Sequence, residues 1–229
     1  MLKGMVAALV VLTVVVGVTA MWHDGAREVV RGVLKFATDP VLLARVERLR
    51  EPILEASAES GVDPNLIAAI VATESSGHVD AVSRLGALGL MQLMPAAASD
   101  ASKKLGLPKP TREDLLEDAE LNLRLGARHF AWTLANEERD VERALVAYNA
   151  GRGRLAQWIR ESGSYSAWHS EREAAGDSSV LAYARKVLSY AESFRERGVF
   201  AIETETTQSP ARGDTHALPP TAHESPPER

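Results

Sequence analysis

Between Val41 and Gly198 the apolar residues recur at helical spacing, and no stretch alternates apolar and polar residues long enough to make a strand. That pattern confines the chain to an all-α fold. Leu42, Leu43, Val46, Leu49, Ile53 and Leu54 form one apolar face over residues 41–60, with Pro52 as the expected kink and Gly61 as the stop. Asp63-Pro64 predicts the next start, since Asp63 can cap and Pro64 suits the first helical position. Leu66 to Ala72 is wholly apolar, so this helix is expected to be buried and to end near Ser75-Ser76-Gly77. Residues 77–89 read as loop, 95–105 as a short helix and 113–117 as one further turn. Residues 120–136, 141–150 and 154–161 read as helices, 163–179 as polar irregular chain, and 179–198 as the last helix.

Two end segments fall outside this pattern. Residues 4–22 are an uncharged run after Lys3, long enough to span a bilayer. The run also fits a long signal core, because Val18-Thr19-Ala20 has the small residues of a cleavage site. Either reading carries the rest of the chain across the cytoplasmic membrane, to the periplasm or cell envelope. The length of the run favours an anchor, with the inner membrane as a partner through residues 4–22. Residues 23–44 follow as a helical linker. Residues 201–229 hold 5 of the 11 prolines and only Ile202 and Leu218 as large apolar residues. Such a segment cannot bury enough surface to offset its ordering entropy. The domain is therefore expected at residues 45–198, with a disordered tail at 199–229.

The formal net charge is −5 and no basic stripe stands out, so no nucleic-acid partner is expected. Cysteine is absent, which removes disulfides, thiol nucleophiles, cysteine-ligated metals and a lipidated cysteine. His78, His129 and His169 lack paired ligand spacing, and no phosphate loop, nucleophile elbow or cofactor motif appears. Neither a metal nor a cofactor is expected.

One carboxylate is out of place. On the helix from Pro64, positions 67, 70, 71 and 74 share a face; three are Ile67, Ile70 and Val71, and the fourth is Glu74. Burial and the negative end of the helix dipole both disfavour its charged form. A carboxyl with a raised pKa can protonate a leaving oxygen. The spacing alone fits a solvated residue at a helix end better; the loop that follows changes the balance. Residues 86–95, Gly-Ala-Leu-Gly-Leu-Met-Gln-Leu-Met-Pro, combine two glycines with an apolar run holding one amide. Gly86 and Gly89 let backbone pass close to a ligand, and Gln92 offers donors and an acceptor to sugar hydroxyls and acetamido groups. A buried loop with a satisfied amide is the plainer reading. Ala147-Tyr148-Asn149-Ala150-Gly151 sets a phenol and an amide among small residues, either as a cleft wall or as an ordinary helix end.

Together with Ala81-Val82-Ser83-Arg84 and Asn122-Leu123-Arg124-Leu125-Gly126, these segments resemble the soluble lytic transglycosylase family of peptidoglycan enzymes, relatives of goose-type lysozyme. They come in the family's order over residues 45–195. The resemblance implies a lysozyme-like helical domain with its substrate cleft between lobes. It implies Glu74 as the catalytic acid/base, with Ser83, Met91, Gln92, Tyr148 and Asn149 lining the saccharide subsites. Tyr148 is expected near the catalytic carboxyl, where its phenol can orient it. Ser75, Gly86 and Gly89 are expected to be structural. The family often carries a Glu-Thr pair ahead of a Tyr-Val segment in the last helix; here Ser179 and Val180 stand at the pair and Tyr183-Ala184 follows.

Ordinary glycosidases use two carboxylates. Only Glu74 has a credible position, since Asp80 lies in a polar loop past Gly77. The expected reaction is therefore cleavage of the MurNAc–GlcNAc β-1,4 bond without water, giving 1,6-anhydromuramyl ends. Two other readings stand beside it: a hydrolytic muramidase on the same fold, and a catalytically silent glycan-binding scaffold. Protein partners are not legible.

Overall fold

The computed structural model describes residues 40–176 and 178–201; the runs at 4–22 and 202–229, and most of the linker, lie outside the described residues. Among the described residues every regular element is a helix, and none is long and apolar enough to cross a membrane.

Residues 40–47 are helical and turn at 48–49 into α1, Arg50–Ser60. The expected kink at Pro52 is thus replaced by a break upstream. Pro52 falls in the first turn of α1, where its missing N–H leaves no helical bond unmade. Asp63 accepts from the Asn65 N–H at 2.8 Å and opens α2, Pro64–Glu74, with Pro64 in the first turn. Leu66 to Ala72 are all buried, so α2 has no solvent face until its last turn. It is the centre of the domain. The long last helix α9, Ser179–Arg197, lies along it through Leu181, Ala184, Val187 and Ala191. Around this pair stand α5, Ala119–Asn136, and α6, Val141–Ala150. Each leucine-sized side chain so buried contributes about 1.5–3 kcal/mol.

A second, smaller core gathers Leu88, Leu93, Ala98, Leu115 and Leu125 beneath α3, Pro95–Lys104, and α4, Arg112–Glu117. Helix α5 serves both cores: Leu123, Ala127 and Phe130 face the large one and Leu125 the small one. Between α5 and α6, Glu138 and Arg139 adopt left-handed backbone. Glu137 there is 5% exposed and accepts from Arg143 and Arg152 at 2.9 and 2.8 Å. That pair of bonds ties the start of α7, Arg152–Ser162, to the turn.

Two expectations are corrected. The polar stretch after Gly163 is α8, Tyr165–Ala175. Ser164 caps it by accepting from the Ala167 N–H, and Trp168, 2% exposed, is its buried anchor. Two large residues in eleven, Tyr165 and Trp168, leave no apolar period to read. The packed chain also runs past position 198: Phe200 is 1% exposed and meets Phe194 edge-on at 5.4 Å.

Candidate active site

Glu74 is the last residue of α2, where that helix leaves the core. Ser75 ends the helix by bonding back to the Val71 carbonyl at 3.1 Å, and its hydroxyl accepts from the Gly77 N–H. Glu74 Oε1 accepts from the Tyr183 hydroxyl at 2.7 Å. Burial pushes the Glu74 carboxyl up to about 7, against smaller opposing effects of the Tyr183 bond and the Lys186 cation. No other carboxylate among the described residues is close enough to perturb it.

The loop after α2 is held by both cores at once. Leu88 and Leu93 enter the small core and pair with each other by backbone bonds, while Leu90 and Met91 enter the large one. Gln92 is therefore presented between the two cores, in left-handed backbone with φ 47°. Its amide donates to the Ala81 and Gly89 carbonyls at 3.1 and 3.0 Å, leaving its own carbonyl oxygen unbonded among the described residues. Ser83 closes the turn before it: its hydroxyl accepts from the Ala87 N–H at 2.9 Å and the Leu85 N–H at 3.3 Å.

Asn122, fully buried on α5, is the fastener beneath this loop. It accepts from the Met91 N–H at 3.0 Å and donates to the Leu88 and Leu115 carbonyls at 3.1 and 2.9 Å. Gly89 lies so close that a β-carbon there would come within 2.1 Å of the Asn122 amide nitrogen. Gly126, one turn along α5, leaves room for the Met91 thioether.

Two of the expected roles change. Met91 does not line the cleft with its side chain, which is fully buried in the notch at Gly126. What it offers is its carbonyl, which accepts from the Tyr148 hydroxyl at 2.8 Å. Tyr148 thus orients the loop and not the carboxyl; burial, and after it the nearby Glu74, holds its phenol un-ionised. The tyrosine bonded to Glu74 is Tyr183, on α9. Its signal in the sequence was a phenol placed inward on the Val180, Tyr183, Ala184, Val187 stripe. Asn149 is exposed beside Tyr148, and Gly86 takes the left-handed φ of 86° its turn requires. Glu74 makes no hydrogen bond to Ser83, Gln92 or Asn149. Among the described residues no three His, Cys, Asp or Glu side chains converge as a metal site needs.

The model of the transglycosylase SLT domain family matches residues 51–170, just over half of the chain. The chain belongs to this family. Its SLT domain is 41% identical over 117 residues to the transglycosylase of Enterobacteria phage PRD1, covering 50% of this chain and 39% of that protein. It is 42% identical over 82 residues to the endo-type membrane-bound lytic murein transglycosylase A of Klebsiella pneumoniae, covering 35% of this chain and 40% of the other. Among solved structures, an inactive mutant of the lytic transglycosylase Slt from Pseudomonas aeruginosa matches with TM-score 0.57 and 31% identity, over 66% of this chain and 24% of that one. The 70 kDa soluble lytic transglycosylase of Escherichia coli matches with TM-score 0.56 and 26% identity, over 64% and 24%. The chain thus spans about two-fifths of the curated relatives named here and about a quarter of the structural ones.

Proposed function

We propose that this chain is a peptidoglycan lytic transglycosylase that cleaves the MurNAc–GlcNAc bond with Glu74 as its single acid/base. The observation that carries the reading is a lone, largely buried but not sealed carboxyl, titrating near 7 and held by one phenol. A group with that pKa is available in both protonation states at neutral pH, as a residue that gives and then takes a proton requires. Glu74 first protonates the departing glycosidic oxygen. The substrate's own acetamido oxygen steadies the positive charge forming at C1. Glu74, now a carboxylate, accepts the proton of the sugar's O6 hydroxyl as that oxygen closes onto C1. Both reacting groups belong to one molecule, so proximity replaces the positioning of a water. Gln92 and Asn149 are proposed as amide contacts to the saccharide; Ser83, Tyr148 and the Met91 carbonyl shape the wall that presents them. The polymer lies outside the cytoplasmic membrane, so the reading carries a place in the cell envelope, which residues 4–22 suit as anchor or export signal.

Mass spectrometry of muropeptides released from purified sacculi by the full chain tests it. The expected products end in 1,6-anhydromuramic acid, each lighter by one water than its hydrolytic counterpart. Reducing-end muramic acid as the main product would make the chain a muramidase.

Tyr183→Phe is expected to lower turnover by about tenfold, consistent with ~1.5 kcal/mol for a hydrogen bond to a charged group. The bond favours the charged form, so its loss should also raise the Glu74 pKa above about 7 and move the alkaline fall in activity to higher pH. An unmoved pH profile would show that Tyr183 does not act through Glu74.

A further inference from the structure

A recess of about 230 Å³ opens between the end of α3 and the middle of α5. Lys103 and Lys104 line it from α3, and Arg128 from α5. Asp100 is the one acid in the lining, so three cations stand against one carboxylate in a chain that is acidic as a whole. None of the three makes an ion pair among the described residues, whereas Arg124, Arg143, Arg152 and Arg195 all do. Arg128 does feel Glu59, but Arg124 holds both oxygens of that carboxylate, at 2.8 and 2.9 Å. The Arg128 Nε is shut off from solvent and has no hydrogen-bond partner, so this guanidinium carries its charge with no acid bonded to it. Such a charge is a cost unless something supplies the counter-charge. The lysines have a local reason for their place, since they complement the dipole at the end of α3. Arg128, in the middle of α5, has none.

Aromatic rings hold the cations in place. The Lys104 ammonium lies 5.0 Å from the Trp132 ring centre and the Arg152 guanidinium 4.8 Å, and Arg152 is itself fixed by Glu137. His129 stacks on Trp132 at 6.0 Å and meets the Tyr148 ring at 5.5 Å. Burial holds this imidazole below its usual range, so at neutral pH it adds no fourth charge.

Two formal positive charges are thus left over, on donors that come from two different helices. A carboxylate brings one charge and two oxygens. A phosphate monoester brings about −1.5 to −2 at pH 7 and three free oxygens, one for each cation. A recess this small takes that group with little body attached. We infer that the recess between α3 and α5 is a phosphate site, taking the free ion or the phosphate ester of a small polyol or sugar. Held there, the anion ties α3, which covers the smaller core, to α5, which serves both. The site stands whether or not the reaction proposed above does.

The test takes the full chain in a neutral detergent, with inorganic phosphate, glycerol phosphate and glucosamine 6-phosphate as ligands and acetate as the control, all at one ionic strength. Calorimetric titration and melting curves read the binding. The phosphates are expected to bind and to raise the melting temperature with concentration, and acetate to do neither. The second proton of a phosphate leaves near pH 6, so affinity should rise about tenfold from pH 5 to pH 7. Lys104→Gln combined with Arg128→Gln should weaken binding about tenfold or more. Should that variant fail to fold, Lys103→Gln with Lys104→Gln, both at exposed positions, gives the same comparison. Either order of affinity supports the site: esters bound more tightly than the free ion make the ligand an ester, and equal binding makes it inorganic phosphate. No saturable binding of any phosphate, acetate bound as tightly, or affinity unchanged in the folded variant overturns the inference.

Discussion

Glu74→Gln is expected to remove at least about three orders of magnitude of strand cleavage while leaving a folded and somewhat more stable protein. A positioned acid or base contributes roughly 10²–10⁴-fold, and here one group serves in both roles, so the loss belongs at the upper end. The amide keeps the shape and can still accept from the Tyr183 hydroxyl, but it has no proton to lend. The gain in stability follows from linkage. An ordinary glutamate titrates at 4.5, and Glu74 in the folded protein at about 7. The folded state therefore binds this proton more tightly than the unfolded chain does. Its contribution is fully favourable below pH 4.5 and is lost as pH rises through about 7. Above that, a buried charge is a standing cost on the order of 1–3 kcal/mol, which glutamine does not carry. Melting curves of parent and variant should diverge from about pH 5 to about pH 8, with the variant higher. Full activity in the variant would remove Glu74 from the site, and a gap of opposite sign would show that it is not buried.

Gly89→Ala should be the most damaging single-methyl change in the loop. Its φ of 74° is costly for alanine, and the added carbon would lie 2.1 Å from the Asn122 amide nitrogen and 2.3 Å from the Leu115 carbonyl oxygen. Neither neighbour can yield: Asn122 is bonded three ways, and the other is backbone. Left-handed strain and overpacking together are expected to cost about 2–5 kcal/mol, a large share of an ordinary domain's stability. Gly86→Ala is the control. Its φ is 86° but nothing lies within 4 Å of the added carbon, so only the conformational cost of about 1 kcal/mol remains. Denaturant midpoints of the two variants separate the clash from the strain. Equal losses would mean that the contact between Gly89 and Asn122 is looser than the geometry has it.

The sequence shows α2 plainly because every signal there is local. Asp63 caps, Pro64 starts, the apolar run buries, and Glu74 breaks its face within one span of eleven residues. The segment at 86–95 is legible as a unit, but the need for Gly89 comes from the close approach of Asn122 and the Leu115 carbonyl, which lie far off in the sequence. What was lost is what depends on distant partners. Asn122 looks like one polar residue on an amphipathic helix until Leu88, Met91 and Leu115 are brought to it. Tyr148 and Tyr183 both face inward, and no periodicity says which phenol reaches Glu74 and which reaches the Met91 carbonyl. Met91 sits in an apolar run that suits a cleft wall as well as a core; the notch at Gly126 decides for the core. Helix α8 escapes because it rests on capping and on Tyr165 and Trp168 alone.

The bond between Tyr183 and Glu74 joins residues 109 positions apart, the end of the second helix to the start of the last. A polypeptide is made in one direction, so the carboxyl exists long before the phenol that seats it. Closing so wide a gap is a late event in folding, since its entropy must be met before its contacts repay it. Until α9 lies along α2, Glu74 lacks the Tyr183 bond that seats it. Such a chain carries the carboxyl without the partner that seats it. On the function proposed above, completion of the fold is thus the step that arms the carboxyl.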